Sequence, residues 1–127
     1  MTNISIPKRR DLLGMWRLIS VEVPLKNGDV GRPFGKAPVG TIVYLANGSM
    51  SVHINGSDTA SGRLRAYAGA WRINEGRVIH EVEVSFEPEL RGERLEREAQ
   101  LDGAHLVYRT VETQGPGRPV VVWQRVR

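Results

Sequence analysis

The chain of 127 residues contains no cysteine. This absence excludes disulfide bonds, a thiolate nucleophile and any zinc site that uses sulfur ligands. It fits an intracellular protein, and we expect the chain to be cytoplasmic. The first ten residues are polar and end in three basic side chains, so we expect no secretory signal there. No stretch is apolar for long enough to span a bilayer, so we expect no membrane span.

Lysine is scarce, since 15 of the 18 basic residues are arginine, and the formal net charge is +4. A surplus of positive charge raises the question of nucleic-acid binding. The arginines are spread singly along the chain with acidic residues between them, and no basic block carries interleaved aromatic side chains. We therefore expect no nucleic-acid partner and interpret most of the arginines as an outer surface.

Long helical segments are also missing, because short alternating apolar segments between Gly, Pro and Asn clusters predict strands instead. Strands are predicted at 14–24, 39–46, 49–55, 64–73, 77–86, 93–101, 104–112 and 120–126, with a short helical turn at 8–13. Polar loops are predicted at 56–63 and 113–119. Segment 93–101 would suit a helix by propensity, but the Asp-Gly turn that follows favours a strand. The order predicts an all-β, eight-stranded antiparallel up-and-down barrel, with residues 1–127 as one domain.

Two hairpin turns set the register of the central strands. A three-residue turn at 46–48 would pair Tyr44 with Met50 and collect the apolar residues on one face. A two-residue turn at 75–76 would pair Trp71 with His80. The opposite choice for this second hairpin would bury two carboxylates in place of one imidazole, which costs more.

The inner face follows from these registers. On strand 77–86 it would continue beyond His80 to Val84 and Phe86. On the first strand it would run from Trp16 to Glu22. A two-residue turn at 102–103 would pair Arg97 with Tyr108 on the inside of the barrel.

Two terminal segments carry a family likeness. Residues 12–20 contain the pattern Gly14-x-Trp16, and residues 122–126 place Arg125 on the last strand. Together with segments 40–52, 67–76 and 80–97, they resemble the bacterial lipocalin-like domain family, which belongs to the calycin group. The resemblance implies a barrel closed at one end by Trp16, with Arg125 packed across the indole, so Gly14, Trp16 and Arg125 are interpreted as structural. The loop 56–63 is short for that family, which predicts a more open barrel mouth.

The predicted interior is mostly apolar with a few polar groups, as small-molecule sites usually are. The candidate ligand-binding residues are Tyr44, Met50, Tyr67, Trp71, His80, Arg97 and Tyr108. For His80 and the tyrosines the alternative is a hydrogen-bonded core side chain. For Arg97 two partners remain open, namely Glu22 as a structural ion pair or an anionic group on a ligand.

The leading functional hypothesis is binding of a small hydrophobic or aromatic molecule, with its apolar part against Met50, Trp71, Val82 and Leu106. The rival is a cyclase or isomerase that acts on a polyketide-like or terpenoid-like substrate, with His80 as the candidate acid or base. A third interpretation is a structural barrel with a filled interior. The histidines lack metal-ligand spacing, so we expect no metal. We also expect no cofactor. Whether the chain forms a homodimer is left open.

Overall fold

The computed structural model describes residues 4–57, 63–111 and 118–126. Residues 58–62 of the predicted loop 56–63, and residues 113–117 of the predicted loop 113–119, lie outside the described residues. The short helix α1 covers Arg9–Leu12, and a single 3-10 turn covers Pro88–Leu90. The strands are β1 (Ile4–Ser5), β2 (Gly14–Pro24), β3 (Val30–Gly31), β4 (Val39–Tyr44), β5 (Ser49–Asn55), β6 (Leu64–Asn74), β7 (Arg77–Ser85), β8 (Arg94–Asp102), β9 (His105–Thr110) and β10 (Val120–Arg125).

Eight strands of the described chain close into an antiparallel barrel. The pairing order runs β8-β7-β6-β5-β4-β2-β10-β9, and the pairing of β9 with β8 closes the ring. The short strand β1 adds to β8, and β3 adds to β2. The predicted eight-stranded barrel with a short N-terminal helical turn is confirmed. No helix in the described ranges is long and apolar enough to cross a membrane.

The two central hairpins have the predicted registers. Tyr44 pairs with Met50 across β4 and β5, and Trp71 pairs with His80 across β6 and β7. At the second turn, Glu75 has φ 51° and Gly76 has φ 77°. Two consecutive positive φ angles are what a tight type I′ hairpin requires, so the two-residue turn at 75–76 holds this register.

The β8–β9 hairpin differs from the prediction by two residues. Arg97 pairs with Thr110, and Tyr108 pairs with Ala99, so the predicted pairing of Arg97 with Tyr108 is wrong. The turn lies at 103–104, where Gly103 supplies a positive φ of 62° at the first turn position. Because side chains alternate with a period of two, this shift leaves both faces unchanged, and Arg97 and Tyr108 both still face the interior.

A β-bulge reverses the inner face of β2. The register with β10 shifts so that Ile19 has no partner residue. Beyond this point Val21 is buried, whereas Glu22 reaches the outside and lies 3.3 Å from the guanidinium of Arg32. The prediction that Glu22 faces the interior is wrong, because a bulge inverts the alternation that follows it.

A second bulge, on β7, also reverses which residues of its strand face the interior. Gly69 of β6 pairs with Val82 and its neighbour pairs with Val84, which leaves Glu83 as the extra residue. A Cβ at Gly69 would lie 1.9 Å from the carbonyl oxygen of residue 81, so only glycine allows this approach. Val84 is 62% exposed and Phe86 is 64% exposed, so their predicted inward placement is wrong.

The helix α1 is tied across one end of the barrel. Trp16 is buried there, and its Nε1 donates to the carbonyl oxygen of Leu12 at 3.0 Å. The guanidinium of Arg125 lies 4.1 Å from the centroid of the Trp16 ring and donates to the carbonyl oxygens of Leu13 (3.1 Å) and Asp11. Arg125 thus caps free carbonyls and covers the indole at once.

Gly14 makes the connection between α1 and β2. Its φ of 108° lies in a region that residues with a side chain rarely adopt. The Gly-x-Trp spacing therefore lets the chain turn sharply out of α1 while Trp16 enters the barrel.

Replacing Arg125 by methionine tests this closure. The Arg125→Met variant loses the charge-assisted hydrogen bonds and the cation–π contact, so we expect its free energy of unfolding to fall by about 2 kcal/mol. Urea unfolding measures the change. Arg17→Met is the matched control, since Arg17 is exposed on the neighbouring strand β2, and it should change stability by less than about 0.5 kcal/mol. Equal effects of the two substitutions would contradict the assigned role.

Candidate functional site

The barrel interior is packed at the closed end and hollow at the other. Met50, Trp71 and Leu106 are almost fully buried in the same hydrophobic cluster as Trp16. Trp71 donates from Nε1 to the carbonyl oxygen of Leu45 at 3.0 Å, which satisfies its only polar atom. The opposite half encloses a cavity of about 300 Å³.

The walls of the cavity are mainly aliphatic and aromatic, with polar side chains gathered on its floor and mouth. The apolar lining residues are Val21, Val23, Pro33, Phe34, Ile42, Val52, Ile54, Pro119, Val121 and Trp123. The polar lining residues are Arg63, Arg65, Tyr67, His80, Arg97, Tyr108 and Thr110. This composition, with few polar groups in an apolar enclosure, is typical of small-molecule sites.

Four buried side chains form a continuous hydrogen-bonded chain across the barrel. The hydroxyl of Tyr67 lies 2.6 Å from Nδ1 of His80, and Nε2 of His80 lies 2.6 Å from the hydroxyl of Tyr44. The Tyr44 hydroxyl also lies 2.6 Å from that of Tyr108. The four residues come from β6, β7, β4 and β9, so the chain joins strands on different sides of the barrel. We call it the Tyr–His chain.

Every member of the Tyr–His chain is uncharged at neutral pH. Burial, together with a smaller contribution from the nearby guanidinium of Arg97, lowers the pKa of His80 to about 3. Burial raises the pKa of Tyr67 to about 12 and raises the pKa of Tyr44 and Tyr108 as well. A neutral imidazole between phenols can donate from one nitrogen and accept at the other.

Arg97 projects from β8 toward the same floor and is only partly buried. Its Nη1 donates to the carbonyl oxygen of Glu96 at 3.0 Å. No carboxylate of the described residues forms an ion pair with Arg97, and Glu22, one of its two expected partners, is engaged with Arg32 on the outside. The guanidinium therefore borders the cavity with most of its donors unused by described protein groups.

The other two arginines at the cavity have partners. Arg65 donates from Nε and Nη2 to the two carboxylate oxygens of Glu87 at 2.7 and 3.2 Å. This hydrogen bonding raises the pKa of Arg65 and lowers that of Glu87. Arg63 lies over the ring of Phe34, 5.0 Å from its centroid. These contacts hold Arg65 and Arg63 in place, whereas Arg97 has no partner side chain among the described residues.

The structure brings four of the seven predicted ligand-binding residues to the cavity, namely Tyr67, His80, Arg97 and Tyr108. Tyr44 belongs to the Tyr–His chain but does not line the cavity, and its ring lies 4.7 Å from that of Trp71. Met50 and Trp71 are buried and are not among the residues that line the cavity, and the same holds for Val82 and Leu106. A ligand-binding role for Met50 and Trp71 stays a prediction.

Sequence reasoning missed Trp123. Its side chain is 2% exposed and lines the cavity, and its Nε1 has no hydrogen-bond partner among the described residues. The strand β10 alternates Val121, Trp123 and Arg125 on one face. The resemblance implies that Arg125 packs across Trp16 at the closed end, so the same alternation would place Trp123 on the inner face of β10.

The described residues contain no group of three His, Asp or Glu side chains that could hold a metal ion.

The sequence matches the model of the lipocalin-like domain family over residues 13–65 and 58–126. The chain belongs to the lipocalin-like domain family. A search of curated proteins found no match to it. In this lipocalin-like protein, the first matched segment contains Gly14, Trp16 and Tyr44. The second contains Arg125 and the other three members of the Tyr–His chain.

The ionisation of His80 can be tested directly. We expect its ring to give neutral-imidazole ¹⁵N chemical shifts from pH 7 to about pH 4, because its pKa in the folded state is about 3. In the unfolded chain a histidine takes up a proton below about pH 6.5, so this group destabilises the fold progressively as the pH falls from there toward 3. Imidazolium shifts from His80 at pH 5 in the folded protein would contradict the assignment.

Proposed function

We propose that this lipocalin-like protein binds a small hydrophobic or aromatic molecule inside its barrel. The observation that carries the proposal is the interior cavity of about 300 Å³, with apolar walls and a polar floor. An eight-stranded barrel has room for one small ligand, and cavities of this size and composition are typical ligand sites. This volume is that of roughly ten molecules of liquid water. A cavity of this size favours a compact ligand.

The distribution of lining residues supports one orientation of the ligand. The apolar body would pack against the aliphatic wall formed by Val21, Ile42 and Val52. The polar end would meet Tyr67 or Tyr108 and Arg97 at the floor. His80 would act through the tyrosines, because both of its ring nitrogens are already within hydrogen-bond distance of their hydroxyls.

The same contacts make His80 a poor general acid or base. A catalytic histidine needs a free nitrogen within reach of the substrate and a pKa near the working pH. Here both nitrogens are occupied, and burial lowers the pKa of His80 to about 3. The geometry therefore supports binding over a cyclase or isomerase that uses His80. The cavity likewise argues against a barrel with a filled interior.

A cavity-filling substitution tests the proposal. Val23 is half-buried and lines the cavity, so the larger ring in Val23→Phe occupies ligand space. We expect the wild-type protein to bind a neutral hydrophobic fluorophore such as N-phenylnaphthylamine, and Val23→Phe to bind it about tenfold more weakly, which is about 1.4 kcal/mol. Fluorescence titration measures both affinities.

The matched control is Val39→Phe, because Val39 is 70% exposed on the outside of β4. This variant should bind the fluorophore like the wild type. Absence of binding to the folded wild-type protein, or equal losses in the two variants, would refute an interior site.

A further inference from the structure

Trp123 is a hydrogen-bond donor without an acceptor at the cavity wall. Its Nε1 is buried and unpartnered in the described part of the chain, whereas the other two indoles donate to the carbonyl oxygens of Leu12 and Leu45. A buried donor left without a partner destabilises the fold. Because Nε1 has almost no exposed area, a ligand oxygen reaches it once the indole shifts toward the cavity, and the hydrogen bond then removes this penalty.

The Tyr–His chain supplies a second donor, which follows from counting its hydrogens. Three hydroxyls and one neutral imidazole carry four hydrogens between them, but only three contacts join the chain. If Nε2 of His80 carries the hydrogen, the spare one is on Tyr108. If Nδ1 carries it, the spare one is on Tyr67. Both end residues line the cavity, so in either arrangement one hydroxyl can donate to a ligand.

Arg97 adds a positive charge to these two donors. Within the described residues, the cavity lining contains Arg63, Arg65 and Arg97 and no aspartate or glutamate. Glu87 neutralises Arg65, and Arg63 covers Phe34. Arg97 is the lining arginine on the floor beside the tyrosines, and it has no anionic partner of its own in the described chain.

We infer that the polar end of the ligand is a negatively charged oxygen, such as a carboxylate, phenolate or enolate, bound by Arg97, Trp123 and one end of the Tyr–His chain. This inference rests on the proposed function and narrows its ligand class to apolar anions. A cation would be repelled by Arg97. A neutral alcohol could exchange a hydrogen bond with a tyrosine but would leave the guanidinium without a counter-charge.

Matched ligand pairs test the inference on the wild-type protein. Decanoate is compared with decanol, and para-nitrophenolate with para-nitroanisole at a pH above that of phenol ionisation, by displacement of N-phenylnaphthylamine. We expect each anion to bind at least about tenfold more tightly than its neutral partner. If one pair alone shows the preference, that result assigns the anion as carboxylate or phenolate and supports the inference.

Charge removal at Arg97 provides the second arm. In Arg97→Met the preference for decanoate over decanol should fall to about one, with the affinity for decanol unchanged. Arg94→Met is the matched control, because Arg94 lies on the outer face of the same strand β8 and is exposed. It should keep the full preference, which separates a local contact from a general effect of net charge.

The indole N–H signals of the wild-type protein report on Trp123. Of the three indole N–H resonances, we expect one to move downfield when decanoate binds and to stay in place when decanol binds. Trp123→Phe assigns that resonance by its loss. No selective shift would overturn the role of Trp123.

The outcomes separate the two proposals. If the fluorophore and the neutral ligands bind but the anions bind no more tightly, the inference is wrong and the proposed function stands. If neither the fluorophore nor any of the four ligands binds to the folded protein, the proposed function fails, and the inference fails with it.

Discussion

The hydrogen-bonded chain from Tyr67 through His80 and Tyr44 to Tyr108 is the contact on which the interior depends. It joins four strands across the barrel and separates the packed half from the hollow half. Its polar atoms are buried, and mutual hydrogen bonding offsets the loss of water. Because the members of the Tyr–His chain satisfy one another except at the two ends, the chain itself is uncharged and offers the cavity one surplus hydroxyl hydrogen beside the charge of Arg97.

An arginine and a tryptophan lie at the closed end of the barrel and another arginine and tryptophan line the cavity, but their contacts differ. At the closed end, Arg125 donates to two carbonyl oxygens and lies over an indole, so its charge is used within the fold. At the cavity, Arg97 lacks an anion and Trp123 lacks an acceptor in the described chain. The same two residue types, Arg and Trp, therefore close the barrel at one end and offer binding groups at the other.

The sequence predicts the barrel and two hairpin registers because those depend on local signals, namely alternation and positive φ at Gly48 and Gly76. It does not predict the bulges at Ile19 and Glu83, since each depends on a neighbouring strand and not on its own pattern. These bulges send Glu22, Val84 and Phe86 outward. The inward placement of Arg97 survived a wrong hairpin pairing because the error was an even number of residues.

The most direct test of the account is a crystal structure of the protein with decanoate. We expect the alkyl chain to lie along the aliphatic wall and the carboxylate to lie within hydrogen-bonding distance of Arg97 and of Nε1 of Trp123. A ligand with its carboxylate at the barrel mouth and its alkyl chain on the floor would contradict the assignment of the polar end. Decanoate bound only on the outside of the barrel would contradict the interior site itself.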